Sequence, residues 1–192
     1  MEALLVIDVA TNEDWNNRAE DLPPKKFQVA QSLMKILGEW RTQSKLVIFV
    51  VFPYCPNGYM FRETSQLTGQ EGLSNCIVCD LPKAYRLVQF LEHRHGSNFE
   101  PAFIKQSQDA FANPYFDEFV RSRNITKLFL AGCMTYACVL ATAQRAARLG
   151  IDITLLKDCV YPALENEQDC QEWIEYAGQN LLPGSKVRIT VE

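Results

Sequence analysis

No run of basic side chains, no apolar stretch longer than a strand and no internal repeat occurs in this 192-residue chain. The first absence, with 19 Lys and Arg against 23 Asp and Glu and a net charge of −4, argues against a nucleic-acid surface, which needs a basic stripe. The second excludes a helical membrane span and a signal peptide, so no membrane partner is expected. The third, with the lack of any low-complexity tract or linker, leaves residues 1–192 as one domain, long enough to bury a sizeable core. Nor does a G-x-G-x-x-G follow the first apolar run, so nothing there is built to cradle the pyrophosphate of a dinucleotide. Cysteine is not scarce. Seven of them, an odd number in a chain that needs no staples, fit free thiols in a reducing cytoplasm better than a secreted disulfide framework.

What is present alternates between strands and helices. Ala3–Ile7 is a continuous apolar run, as a strand covered on both faces requires, and it ends in Asp8. Residues 9–24 are mostly polar and close on Pro23-Pro24, which reads as a loop over the strand ends. A helix over about residues 25–42 would put Phe27, Ala30, Leu33, Met34, Leu37 and Trp40 on one face. Leu46–Phe52 is a second apolar strand, expected to run parallel to the first. Residues 53–81 are irregular and long enough to imply a task. Ala84, Leu87, Val88 and Leu91 predict a short helix with His93 and His95 just past it; Ala102–Ile104 then makes a brief strand ending at Lys105. Asn113-Pro114 starts a helix whose buried face is Phe116, Phe119 and Val120.

The segment Thr126–Gly150 reads as a buried strand, a turn at Gly132 and an Ala- and Leu-rich helix with Cys138 in or beside its first turn. A thiol at a helix N-terminus is expected to ionise more easily than a free one. A strand ending near Asp158, a helix marked by Cys170, Trp173, Ile174, Ala177 and Leu181, and an edge strand through Val187, Ile189 and Val191 complete the chain. The pattern predicts an α/β fold, a single three-layer αβα domain around a doubly wound, mainly parallel sheet of about six strands. A lone cysteine is usually a small buried hydrophobe. Here three strands deliver a carboxylate (Asp8), an ammonium (Lys105) and a thiol (Cys138) to the rim where such sheets hold ligands, and that coincidence favours chemistry.

Ala3–Asp8 (ALLVID), Lys105 followed by Asp109-Ala110-Phe111, and the G-x-x-T-x-x-C-V-x-x-T-A run from Gly132 to Ala143 resemble the isochorismatase-like cysteine hydrolases. The resemblance implies a Rossmann-like hydrolase fold, catalytic roles for Asp8, Lys105 and Cys138, a non-proline cis peptide at Cys133–Met134, and an oxyanion hole formed by the N–H groups of Met134 and Cys138. It further implies a small-molecule substrate, a homo-oligomer (dimer or tetramer) and no cofactor. The activity implied is hydrolysis of a carboxamide or carbamoyl C–N bond through a thioester; relatives lacking the cysteine cleave a vinyl ether by acid catalysis instead. The chemistry is demanding. Free Cys and Asp differ by about 4.6 pKa units, so moving the proton from thiol to carboxylate costs roughly 6 kcal/mol unless the site changes both groups.

Two departures matter. Nicotinamidases of the family carry an Asp-x-His…His metal site after the second strand, where this chain has Phe52, Tyr54 and Met60; no metal is expected, because Phe and Met do not bind a hard or borderline cation. The family's Gln-Asn-Asp-Phe is replaced by Ala10–Trp15, which alters the pocket wall and leaves the substrate open. Trp15, Tyr54, Phe61, Phe111 and Tyr136 are candidate pocket residues, with simple core packing as the rival reading. Cys76-x-x-Cys79 with His93 and His95 fits a zinc site poorly, since His-x-His is tighter than the usual spacing of about three to five residues. Cys133 is a possible redox partner of Cys138 or a plain turn residue, and Asp158 reads as a structural brace. Two other classes of function stay open: a catalytically idle binding or assembly protein, and a dinucleotide-binding enzyme, which the missing glycine motif disfavours.

Overall fold

The computed structural model describes residues 1–9, 24–51, 90–91, 94–95, 98–105, 107–179 and 188–192. Its strands are β1 (Glu2–Ile7), β2 (Leu46–Val51), β3 (Phe90–Leu91), β4 (Arg94–His95), β5 (Asn98–Phe99), β6 (Ala102–Ile104), β7 (Lys127–Cys133), β8 (Asp152–Tyr161) and β9 (Ile189–Val191). The helices are α1 (Pro24–Thr42), α2 (Pro114–Ser122), α3 (Leu140–Arg148) and α4 (Glu167–Gly178). Seven strands form one sheet in the order β3-β6-β2-β1-β7-β8-β9, and β4 pairs with β5 alone. Six of the seven run parallel; only the two-residue β3 is antiparallel, against β6. The strand order reverses between β1 and β7, the position at which such sheets open a crevice for ligands.

The apolar runs of β1, β2 and β7 are continuous because both faces of the sheet are covered. Alternate residues go to opposite sides. Ala3, Leu5, Ile7, Ile48, Val50, Leu128 and Leu130 pack with Phe116, Val120, Leu140, Ala143 and Trp173 of α2, α3 and α4, while Leu4, Val6, Val47, Phe49 and Ala131 pack with Leu33, Leu37 and Trp40 of α1. Three layers result, the core lying on both faces of the sheet. No helix among the described residues is long and apolar enough to cross a membrane.

Register aligns the strand ends. Ile7 faces Val50 and Gly132, and Val51 faces Ile104, so Asp8, Lys105 and Cys133 leave the sheet at one level. Gly132 has φ +111, and a Cβ there would lie 2.0 Å from the Ile7 carbonyl oxygen. Only glycine lets β7 approach β1 so closely.

Several local expectations are corrected. Leu91 belongs to a strand, not a helix: Phe90 and Leu91 pair with Phe103 and Ala102 along the edge that β6 would otherwise expose. The buried face of α1 is Lys26, Val29, Leu33, Leu37 and Trp40, and Met34 is exposed, because the helix is rotated by about one position from the face with most apolar residues. β8 passes Asp158 and ends at Tyr161, after an irregularity that lets its pairing with β7 resume at Gly132 and Val160. Residues 10–23 and 52–89, among them Ala84, Leu87 and Val88 of the expected short helix, and Leu181 and Val187 lie outside the described residues.

Gly132→Ala is expected to destabilise the fold by about 3 kcal/mol or more, since both the backbone conformation and the space are denied to a methyl group. Urea denaturation checks this; a loss under about 1 kcal/mol would mean that β7 can move away from β1 without cost.

Candidate active site

Asp8 stands one residue beyond β1 with φ +53, a left-handed conformation that Asp enters more readily than most side chains. Two bonds hold it there: its N–H donates to the Val50 carbonyl at 2.9 Å, and its own carbonyl accepts from Cys133 Sγ at 3.1 Å. Lys105, one residue beyond β6, is fully buried. Its Nζ lies 2.7 Å from Asp8 Oδ2 and donates to the Ser107 carbonyl at 3.1 Å and to Cys138 Sγ at 3.2 Å. Asp8 also hydrogen-bonds the Cys138 thiol. A carboxylate and an ammonium just past two strand ends and a half-buried thiol in the turn after a third therefore touch one another.

The end of β6 is tied down by Asn113. Its Nδ2 donates to the Ile104 carbonyl at 2.7 Å, while its Oδ1 accepts from the N–H groups of Tyr115 and Phe116 and so caps α2. Cys138 lies in a π-helical turn, Thr135–Val139, that runs directly into α3, one step ahead of the regular helix anticipated for it. Such wide turns recur at functional sites. Thr135 fixes this one from the far side: its Oγ1 donates to the Pro162 carbonyl at 2.7 Å, and its carbonyl accepts from Trp173 Nε1 at 3.4 Å. The Cys133–Met134 peptide is cis, as is Tyr161–Pro162.

The resting charge state differs from the one anticipated for a thiol at a helix N-terminus. Burial pushes the Cys138 thiol above its ordinary value, and the charge and hydrogen bond of Asp8 push it further; Lys105 opposes both. Desolvation and a neighbouring anion outweigh one cation. The thiol beside Asp8 and Lys105 is thus harder to ionise than a free one.

The Isochorismatase domain family matches residues 2–171. The chain belongs to this family of hydrolases. Its fold is similar to that of an N-carbamoylsarcosine amidase from Thermoplasma acidophilum (17% identity, 100% of this chain and 95% of that one, TM-score 0.63). It is similar also to a nicotinamidase from Bacillus subtilis (24%, 98% and 98%, 0.57) and to an isochorismatase-like hydrolase from Alkaliphilus metalliredigens (19%, 98% and 94%, 0.58). At these identities the likeness is one of fold. No curated protein sequence matches.

Elsewhere in this isochorismatase-family chain the candidates divide. Tyr136 is 51% exposed and Met134 40%, so both present side chains at the rim. Phe111 is buried, its ring 4.8 Å from that of Phe116; the turn capped by Asp109 directs it into the core, and it is packing rather than an open pocket wall. Cys133 is buried and a free thiol, engaged with the Asp8 carbonyl. Asp158 is exposed and lines a separate cavity of about 600 Å³ with Lys157, Glu165, Glu167 and Cys170. Trp15, Phe52, Tyr54, Met60, Phe61, Cys76, Cys79 and His93 lie outside the described residues; His95 belongs to β4. Sequence reasoning saw Asn113 as a helix start but missed its bond to Ile104. The signal was an Asn-Pro pair shortly after the strand-end lysine.

The charges around the sulfur set the sign of a test. In peptide mass spectrometry after alkylation at a series of pH values, Asp8→Asn should move the Cys138 profile to lower pH, because an anion that disfavours the thiolate is gone. Lys105→Met should move it to higher pH. Shifts of the opposite sign would contradict the electrostatic assignment.

Proposed function

We propose that the chain is a cysteine-dependent hydrolase that cleaves a carboxamide or carbamoyl C–N bond of a small molecule through a thioester. The observation that carries this reading is the position of Lys105 Nζ, 2.7 Å from Asp8 Oδ2 and 3.2 Å from Cys138 Sγ. The ammonium touches both oxygen and sulfur, so it can stabilise the negative charge on either atom as the proton passes between them. Two of the similar structures bear the names of amidases, an N-carbamoylsarcosine amidase and a nicotinamidase, which supports the C–N reading.

In the reaction proposed, Asp8 takes the Cys138 proton as sulfur attacks the carbonyl carbon, and the C=O electron pair moves onto oxygen. The N–H groups of Met134 and Cys138 are proposed to hold that oxyanion. The pair returns, the C–N bond breaks, and the amine leaves with the proton from Asp8. Water then gives a proton to Asp8 and attacks the thioester; the C–S bond breaks and the sulfur recovers its proton. The carboxylic or carbamic acid departs. No step runs through a metal, because the donor set at the family's metal position, Phe52, Tyr54 and Met60, offers at most one phenolate. Elemental analysis of the purified protein should accordingly find no stoichiometric zinc, iron or manganese, and one tightly held metal per chain would overturn that assignment.

A panel of small amides, N-carbamoyl compounds and ureides assayed for released ammonia tests the activity. For a compound that is turned over, Cys138→Ala and Cys138→Ser should each lose on the order of 10³-fold or more, and Asp8→Asn nearly as much. Cys133→Ser should keep substantial activity, since a hydroxyl can still donate to the Asp8 carbonyl. Turnover that survives Cys138→Ala would remove covalent catalysis and favour acid-catalysed cleavage of a vinyl ether.

A further inference from the structure

We infer that Thr142 is a positioning residue that sets the distance between the Lys105 ammonium and the Cys138 sulfur, by docking the loop after Lys105 onto the helix that follows the thiol. The inference rests on the function proposed above, in which that distance matters.

A closed circuit of contacts carries it. Thr142 is fully buried and lies four residues after Cys138, hence on the same face of one continuous helical segment. Its Oγ1 accepts the Ala110 N–H at 3.1 Å and reaches the Gln108 carbonyl at 3.5 Å. The loop so held is folded on itself. Ser107 Oγ accepts from the Asp109 N–H, and Asp109 Oδ1 accepts from the Phe111 N–H at 2.9 Å. The Ser107 carbonyl accepts from Lys105 Nζ, and Lys105 Nζ reaches the sulfur. From Cys138 to Thr142, across to the loop, back along it to Lys105 and on to Cys138, every link is a bond or a helical turn. Thr142 bonds the middle of the loop to the helix, and Asn113 anchors the strand end.

The hydroxyl is what the position uses, because one atom meets both a donor N–H and an acceptor carbonyl. Valine has the same shape and neither function; serine keeps both. The charged groups facing the sulfur are Asp8 from β1 and Lys105 from β6. Around the loop they are Asp109 with Arg145 and Arg148 of α3. None of these is altered in a Thr142 variant, so a change at the sulfur must come through geometry.

Alkylation of Cys138 by iodoacetamide reads the effect without a substrate, with the partly exposed Cys170 as internal control and circular dichroism as the check on folding. Thr142→Val should slow Cys138 alkylation at neutral pH by roughly two- to tenfold, the range spanned by one neutral hydrogen bond, and move its profile to higher pH. Thr142→Ser should restore it, with Cys170 unchanged throughout. If Thr142→Val fails to fold, Thr142→Ala replaces it. Lys105→Met, or Lys105→Gln should the former not fold, separates the two levels. If it slows Cys138 and the folded Thr142 variant does not, the positioning role is overturned and the proposed function stands. If removal of the lysine charge itself leaves Cys138 unchanged, both fall.

Discussion

The buried contact between Lys105 and Asp8 is the interaction on which the rest of this structure depends. An ammonium with no exposed surface would be untenable alone; it persists because a carboxylate stands 2.7 Å away and a backbone carbonyl takes another of its protons. Breaking such a pair by removing one member typically costs about 3–5 kcal/mol, because the other charge stays buried. A neutral isostere pair can be as stable or more so. Stability alone therefore does not account for it. The third contact, to the Cys138 sulfur, supplies a reason for keeping charge in this place.

That contact is a product of sheet topology. β1, β6 and β7 are separated by long stretches of chain, yet parallel pairing sends all three toward one rim, and reversal of strand order between β1 and β7 opens the rim there. Gly132 lets β7 close on β1, the Cys133 thiol holds the Asp8 carbonyl, and Asn113 holds the end of β6. Each strand end has its own fastening. These supports are buried, and they fix the positions that a proton shuttle between three side chains requires.

Much of this was legible in the chain. Apolar runs ending abruptly in Asp8 and Lys105 announced buried strands with charged ends, and the Thr126–Gly150 segment announced a strand, a turn and a helix, because burial on both faces leaves a continuous apolar signature. What escaped depends on tertiary partners. Phe90 and Leu91 became a strand only because β6 had an edge to cover. The rotation of α1 that exposes Met34 and buries Lys26 over the Tyr161 ring follows from packing, not from periodicity. The direction of the Cys138 shift was misread because helix position was visible in sequence, whereas desolvation and the nearness of Asp8 were not. Thr142 was visible only as a letter in a motif; its partners are about thirty residues away along the chain.

The central claim is that Cys138 carries the acyl group between two half-reactions. Partitioning tests it most directly: two amides that share an acyl group but differ in leaving amine are turned over in the presence of hydroxylamine, and the ratio of hydroxamate to acid is measured for each. A common thioester on Cys138 predicts the same ratio from both amides at every hydroxylamine concentration, since the amine has gone before the second nucleophile arrives. A ratio that changes with the leaving amine would contradict the covalent account.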